Sequence, residues 1–239
     1  EKLSNDIVNF FDIERFNKGI PIYNHEQVSN LSEILKDNLI LFKEYAIKRK
    51  IKFNDDVENN LFTQADPVSI SRTIINLIEN AIKFSEDDGT IEIVVKTHDG
   101  KIIFSVKECG MGIPNDLHKK VFMPYYQITN EKKSFQGMGL GLPIVKKIIE
   151  DLDAEIKIEN NSETEKGITI TVILDQYKKG ENEIAFHNMP AKIFINPEKV
   201  KPEDCINEPD RQTILIVEDN VSMANYLIRK LKEQYNVYA

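Results

Sequence analysis

Residues 65–85, ADPVSISRTIINLIENAIKFS, predict an amphipathic helix. Asp66 can cap the first turn, and Pro67 suits the first helical position because the N–H that proline lacks would have no partner there. At about 3.6 residues per turn, the apolar side chains share one face. We expect this face to lie in the core; it comprises Ile70, Ile74, Leu77, Ile78, Ala81 and Ile82.

The opposite face of this helix carries Asn76, Asn80 and Lys83, which lie within about 60° of one another. A polar stripe is ordinarily a solvated surface, and spacing alone favours that interpretation. Asparagine is a poor helix former, however, so two asparagines on one face indicate a use for them. Amide oxygens with a lysine beyond them suit a hydrated magnesium ion and a phosphate. The same polar arc also contains Ser69, Arg72, Thr73 and Glu79.

Downstream of the helix, two short glycine clusters stand among predicted strands and a further helix. Residues 89–110 predict two strands around a turn at Asp99-Gly100, residues 140–152 predict a helix, and 154–161 and 167–175 predict two more strands. Loops use glycine for turns, but glycine also lets backbone N–H groups approach an anion, and the second cluster runs into a helix N-terminus. The clusters are Gly110 and Gly112, and Gly137, Gly139 and Gly141.

The flanking segments predict pieces of other units. Residues 2–18 predict a helix with one apolar stripe, which we expect to pack on a partner helix, and 29–50 predict a second amphipathic helix before a strand at 51–57. Residues 178–211 contain four prolines and predict an extended linker. The strand pattern of 213–220 and the helical pattern of 221–235 predict the opening βα unit of a parallel α/β domain.

Composition limits the class of protein. The 239 residues carry 31 Lys and Arg against 39 Asp and Glu, a net charge of −8, which argues against electrostatic binding to nucleic acid or anionic membranes. With 41% hydrophobic residues the chain can bury a core. The two cysteines, Cys109 and Cys205, predict neither a disulfide framework nor a zinc site. We expect no membrane span and no export signal within this segment.

Five segments, in this order and spacing, resemble the ATP-binding catalytic domain of sensor histidine kinases: NLIENAIKF, ECGMGIP, VFMPYYQ, GMGLGLPIVKKI and KGITITVIL. The resemblance implies that residues 20–177 form an α/β two-layer sandwich, a mixed and mostly antiparallel sheet packed on three helices. Residues 1–19 look like the end of a dimerisation and phosphoacceptor hairpin. With 178–211 as a linker, residues 212–239 look like the truncated start of a receiver domain, an order that implies a hybrid kinase.

By this resemblance, the cofactors would be ATP and Mg²⁺, and the catalytic set would be Asn76, Asn80 and Lys83. Asn80 would coordinate magnesium, Asn76 would assist directly or through water, and Lys83 would reach the phosphates. The nucleotide would also contact Phe84, Glu108, Gly110, Gly112, Ile113, Gly137, Met138, Gly139, Leu140, Gly141, Leu142 and Thr169. Glu218 and Asp219 resemble the acidic pair of an incomplete receiver magnesium site.

Two departures from the family pattern affect these expectations. Glu108 stands where the family has an aspartate that accepts a hydrogen bond from the adenine amino group. Its extra methylene means that the carboxylate must retract, shift the base or lose the contact, so we predict weaker nucleotide binding than with aspartate. In addition, no histidine has the sequence context of a phosphoacceptor, so the acceptor is expected outside this segment; the histidines are His25, His98, His118 and His187.

Two alternatives to a kinase remain open from the sequence. Hydrolytic ATPases of the same superfamily have a glutamate base at the position of Asn76, and an amide cannot accept a proton from water, which favours the kinase. Glu79 could serve as a base, although a solvated helix acid is the simpler interpretation. The other alternative is a degenerate nucleotide-binding scaffold, and the only sequence feature that favours it is Glu108 in place of the family's aspartate.

The resemblance also implies partners and a location. The partners would be the phosphoacceptor hairpin, the receiver domain and a second copy in a homodimer, with no nucleic acid and no direct membrane contact. The segment would be the cytoplasmic portion of a membrane-anchored bacterial sensor protein.

Overall fold

The computed structural model describes residues 2–128, 138–162, 166–178, 211–216, 231 and 235–238. The chain divides into two compact units, one of residues 9–191 and one of residues 1–8 with 192–239. Gly137, Glu218, Asp219, His187 and Cys205 lie outside the described residues, as do most of the predicted linker and most of the predicted helix over 221–235.

The larger unit contains a five-stranded sheet in the order β2-β4-β5-β7-β6. These strands are β2 (Lys52–Val57), β4 (Thr90–His98), β5 (Lys101–Lys107), β6 (Glu155–Asn160) and β7 (Ile168–Asp175). Only β2 and β4 pair in parallel, and the other three pairs are antiparallel. This confirms the predicted mixed, mostly antiparallel sheet. A separate two-stranded sheet pairs β1 (Val28–Asn30) with β3 (Phe62–Gln64).

Four α-helices occur in the described residues: α1 (Lys2–Asn17), α2 (Leu31–Ala46), α3 (Pro67–Phe84) and α4 (Gly141–Asp151). The carboxylate of Asp66 accepts a hydrogen bond of 2.8 Å from the Val68 N–H and so caps α3 as predicted. The predicted helix over 29–50 is shorter than expected because Asn30 caps it, accepting from the Glu33 N–H at 3.3 Å.

The main core lies between the sheet and helices α2, α3 and α4. The predicted apolar face of α3 is buried, since none of its six side chains is more than 3% exposed. It packs with alternate residues of the strands, including Ile91, Ile93 and Phe104. The three helices and the sheet therefore form the expected two-layer sandwich.

The polar arc of α3 is not uniformly solvated. The Arg72 guanidinium contacts Asp12 and Asn9 of α1, and the hydroxyls of Ser69 and Thr73 are buried and donate to backbone carbonyls. Residues 9–17 of α1 also form a second apolar cluster, in which Ile13 packs with Leu140, Ile144 and Ile148. The sequence pattern of α3 alone does not show this neighbour, so the arc was predicted as one surface.

In the smaller unit, β8 (Thr213–Leu215) pairs in parallel with β9 (Asn236–Tyr238). The strand β8 was predicted within 213–220, whereas β9 was not. A parallel pair fits the predicted α/β character of this segment. Among the described residues, no helix is both long enough and apolar enough to cross a membrane.

Candidate nucleotide-binding site

The side chains of Asn76 and Asn80 on α3 meet the N-terminus of α4. The Asn76 Nδ2 group donates a 2.8 Å hydrogen bond to the Arg72 carbonyl, which fixes the amide plane. A Cβ atom on Gly141 would lie only 2.7 Å from Asn76 Oδ1 and 3.7 Å from Asn80 Nδ2. The absence of a side chain at Gly141 therefore lets the Asn76 amide oxygen approach the N-terminus of α4, close to the Asn80 amide.

The N-terminus of α4 has no side-chain cap. Leu140 occupies the N-cap position and is buried in the apolar cluster, and its side chain has no atom that can accept hydrogen bonds from the first turn. The backbone N–H groups of a first helical turn have no partner within the helix, and the helix dipole favours an anion there. This end of α4 suits a phosphate group.

The donor set around this point fits a hydrated magnesium ion held together with a phosphate. Within the part of the chain that the structure describes, no group of three or more His, Cys, Asp or Glu residues could hold a metal. Magnesium keeps several waters and is commonly bound through one or two protein oxygens and substrate phosphates. The half-buried amides of Asn76 and Asn80 supply such oxygens.

Lys83 and Phe84 end α3, with the Lys83 Nζ atom 4.8 Å from the centre of the Phe84 ring. Both side chains are half-buried. The Arg49 guanidinium holds this end of the helix, because it donates to the carbonyls of Ile82 and Ser85, the latter at 2.7 Å. The last turn of α3 is thereby fixed at the edge of the site.

Glu108 is buried, with 4% of its surface exposed. Its Oε1 atom accepts a 3.1 Å hydrogen bond from the Ile168 N–H, while Oε2 is covered and has no hydrogen-bond partner. Burial raises the pKa of Glu108 to about 7, although the backbone N–H groups of Ile168 and Gly110 oppose the shift. The carboxylate is therefore directed toward the start of β7.

The first glycine cluster is required by packing within the protein. A Cβ atom on Gly110 would clash with the Phe84 carbonyl and lie 2.5 Å from Glu108 Oε2. Gly112 has a φ of +74°, and a Cβ atom there would lie 3.1 Å from Asn160 Oδ1. Ile113 is partly buried against the main core. These contacts fix the loop of residues 108–113 between α3 and β6.

The second glycine cluster contacts the segment VFMPYYQ. Gly139 has a φ of +71°, and a Cβ atom there would lie 2.8 Å from the Tyr126 carbonyl oxygen. The Tyr125 N–H donates to the Gly139 carbonyl at 3.1 Å. Met138 is exposed, and Leu142 is partly buried against the main core. The structure thus brings these two predicted segments together beside α4.

The adjacent residues Asn160 and Asn161 were not predicted as site residues from the sequence. Asn160 bonds the backbone of Ile113, and Asn161 Nδ2 donates to the Glu108 carbonyl at 2.9 Å. The Thr169 hydroxyl, which was expected near the adenine, donates to Asn161 Oδ1 at 2.8 Å. The available signal was two asparagines at the end of a predicted strand, where their strand propensity is low.

Comparison with known proteins accounts for this arrangement. A family model described as "Histidine kinase-, DNA gyrase B-, and HSP90-like ATPase" matches residues 65–178. The nucleotide-free catalytic domain of histidine kinase ThkA is 30% identical, with a TM-score of 0.54; the match covers 65% of this chain and 97% of that domain. The chain belongs to this ATPase family. Its core is an ATP-binding catalytic domain of the sensor histidine kinase type.

Longer relatives of this ATPase domain are also sensor kinases. Sensor histidine kinase TmoS of Ectopseudomonas mendocina is 26% identical over 90% of this chain, and circadian input-output histidine kinase CikA of Synechococcus elongatus is 28% identical over 96%. The chain spans only 23% and 28% of their respective lengths. ThkA has also been solved in complex with response regulator protein TrrA; that structure matches 73% of this chain and 48% of its own chain, with 28% identity and a TM-score of 0.58.

Proposed function

We propose that this chain is the catalytic core of a hybrid two-component sensor histidine kinase, which binds Mg-ATP and donates its γ-phosphoryl group to a histidine on an adjacent hairpin. The observation that carries the proposal is the meeting of Asn76 and Asn80 with the uncapped N-terminus of α4 at Gly141. Magnesium, when bound, would neutralise phosphate charge.

Different residues of the site would bind the metal ion and the phosphates. The Asn80 amide oxygen would hold the magnesium, and Asn76 would assist it directly or through water. The first-turn N–H groups of α4 and the Lys83 ammonium group would contact phosphates. Met138 and Gly139 would belong to the segment that covers the phosphates and excludes water. Catalysis would then consist mainly of positioning and charge neutralisation.

Transfer to histidine is favoured over hydrolysis by the chemistry of Asn76. Its Nδ2 group already donates to the Arg72 carbonyl, and a neutral amide cannot take a proton from an attacking water. Glu79, the other candidate base, is exposed on α3. The phosphorus would therefore remain available to a histidine nucleophile, which keeps the hydrolytic alternative second.

The same proposal assigns the flanking segments. Residues 1–19 would end the phosphoacceptor hairpin, 178–211 would link the catalytic domain to a receiver, and 212–239 would begin that receiver, with Glu218 and Asp219 in its magnesium site. The structure of ThkA with response regulator protein TrrA supports a receiver-type partner. A homodimer would form through the hairpin.

Calorimetric titration with ADP and a non-hydrolysable ATP analogue, with and without magnesium, tests the proposal. We expect magnesium-dependent binding that Asn80→Ala weakens at least about ten-fold, because the metal loses a protein oxygen. Asn54→Ala, an exposed asparagine of β2, is the matched control and should leave binding unchanged. Absence of binding at millimolar nucleotide, or equal binding by the Asn80 variant, would overturn the proposal.

A further inference from the structure

Asn160, the last residue of β6, and Asn161, which follows it, share one structural role. Asn160 is exposed at the end of an edge strand, where an amide is ordinarily solvated. Nevertheless, Asn160 and Asn161 both direct their side chains to the loop of residues 108–113. This loop carries the first glycine cluster and Glu108.

Asn160 binds both backbone groups of Ile113. Its Oδ1 atom accepts from the Ile113 N–H at 2.9 Å, and its Nδ2 group donates to the Ile113 carbonyl at 2.7 Å. The Asn160 amide thus accepts one hydrogen bond and donates another to the same residue, as the backbone of a neighbouring strand would. Nδ2 is also 3.0 Å from Asn115 Oδ1, and the Ile113 carbonyl lies 2.9 Å from His118 Nε2. Several contacts therefore converge on one loop residue.

Asn161 holds the other end of the loop. Its Nδ2 group donates to the carbonyls of Glu108 and Lys166, each at 2.9 Å. Its Oδ1 atom accepts from the Thr169 hydroxyl, so the amide orientation is fixed. Gly167 makes this close approach possible, since its φ is +101° and a Cβ atom there would clash with the Glu108 carbonyl.

We propose that Asn160 and Asn161 are positioning residues that hold residues 108–113 in the shape that receives the base of the nucleotide. The inference rests on the proposed function and on the family resemblance, by which Glu108 in this loop stands where an aspartate accepts a hydrogen bond from the adenine amino group. Both amides act through the backbone of this loop, whereas Asn76, Asn80 and the N-terminus of α4 form the proposed phosphate site. Their loss should therefore weaken recognition of the base and leave phosphate binding intact.

The test compares two nucleotides that differ only in the base. Wild type, Asn160→Ala and Asn160→Asp are titrated calorimetrically with ADP and with GDP in the presence of magnesium. The aspartate variant keeps the side-chain shape and the acceptor for the Ile113 N–H but loses the donor to its carbonyl. We expect wild type to prefer ADP, and both variants to bind ADP about ten-fold more weakly while GDP affinity changes little.

Asn161→Asp removes the donor to the Glu108 carbonyl and should reduce the ADP preference in the same way. Asn54→Ala lies on β2, the opposite edge strand of the sheet, and should leave both affinities unchanged. Far-UV circular dichroism checks that each variant folds; an Asn160→Ala chain that does not fold leaves the decision to the two aspartate variants.

The outcomes separate this inference from the proposed function. Equal weakening of ADP and GDP, or no weakening at all, would show that the asparagines do not position the base loop, while the proposed function would stand. A wild type that binds ADP and GDP equally would have the same meaning. A wild type that binds neither nucleotide would overturn the inference and the proposed function together.

Discussion

At the scale of single residues, Glu108 is a buried acid whose hydrogen bonding is incomplete. It is 4% exposed, accepts one hydrogen bond through Oε1, and has no hydrogen-bond partner for Oε2. Burial raises its pKa from 4.5 to about 7, with a smaller contribution from Glu86 in the same direction. An acid whose pKa is raised by folding is destabilising wherever the unfolded chain ionises it.

This shift predicts a pH-dependent stability difference between wild type and Glu108→Gln. Between pH 4.5 and about 7, the folded state of wild type keeps a proton that the unfolded state releases, so its free energy of unfolding falls as pH rises. A pKa raised from 4.5 to about 7 corresponds to about 3 kcal/mol. Urea unfolding should therefore show Glu108→Gln gaining stability relative to wild type across this window, with a plateau above pH 7.

Glu159→Gln is the control for this measurement, since Glu159 is an exposed glutamate on β6. It measures how replacing a glutamate in this sheet changes the stability at each pH, and the Glu108→Gln effect is compared with it. If the difference between Glu108→Gln and wild type changes no more with pH than that of the control, the buried carboxylate does not carry the proton assigned to it.

A second prediction concerns nucleotide affinity. In wild type, the Glu108 carboxylate reaches the Ile168 N–H and is covered there. Aspartate is one methylene shorter, so in Glu108→Asp we expect the carboxylate to stay nearer the base and accept its amino hydrogen. A charge-assisted hydrogen bond of this kind should tighten ADP binding about ten-fold in calorimetry. ADP binding that is equal or weaker in the variant would contradict the prediction.

How much of the site the sequence could predict depends on sequence separation. Asn76 and Asn80 could be placed on one face of a helix because helical spacing is a local property. The bonds of Asn160 to Ile113 span 47 residues and follow no local period, so only the folded chain shows them. The carboxylate position of Glu108 was left open for the same reason, since it depends on the Ile168 N–H of β7.

At the scale of elements, residues 9–17 of α1 are fastened to α3 by a nearly buried ion pair. The side chains of Arg72 and Asp12 are 12% and 10% exposed, and Arg72 also donates to Asn9 at 2.5 Å and to the Tyr23 hydroxyl at 2.8 Å. Burial raises the pKa of Tyr23 to about 12, so its hydroxyl remains protonated near neutral pH. Arg72 lies one helical turn before Asn76, and the Asn76 Nδ2 group donates to the Arg72 carbonyl.

We therefore predict that Arg72→Ala lowers the free energy of unfolding by about 3 kcal/mol, because it leaves the Asp12 carboxylate buried without its partner. Urea unfolding of Arg72→Ala, Asp12→Ala and the double variant gives the coupling free energy of the pair. Lys96→Ala is the comparison, since its pair with Asp56 is 48% and 66% exposed and should contribute less than about 1 kcal/mol. An Arg72→Ala cost no larger than that of Lys96→Ala would contradict the role of this contact.

The elements themselves were predictable in proportion to their length. Helices α3 and α4 and strands β4 to β7 carry enough residues for their hydrophobic periods to show. The strands β1, β3 and β9 have three residues each, which is too short for alternation to be recognised. The helix predicted over 29–50 is shorter at both ends. Asn30 caps its start, and a 3₁₀ turn at Ile47–Arg49 follows its last residue.

At the scale of the whole molecule, each of the three described histidines already contacts a neighbouring group. His25 Nδ1 is 3.4 Å from the Asp66 backbone nitrogen, and burial lowers the pKa of this imidazole. His98 is the exposed last residue of β4 and lies 3.3 Å from Asp99, and His118 contacts the Ile113 carbonyl. His187 lies outside the described residues. The proposed function therefore assigns the acceptor to the adjacent hairpin rather than to any of these three described histidines.

This arrangement predicts that the chain alone, incubated with Mg-ATP labelled at the γ-phosphate, forms no acid-labile phosphohistidine. Adding the phosphoacceptor hairpin of the parent protein in trans should place label on the hairpin, because the P–O bond to ADP then breaks as a bond to the imidazole nitrogen forms. The hairpin without this chain, or with Asn80→Ala, should stay unlabelled. Label on the chain itself would mean that one of its own histidines reaches the phosphate, and the separation between phosphoryl donor and acceptor segments would have to be abandoned.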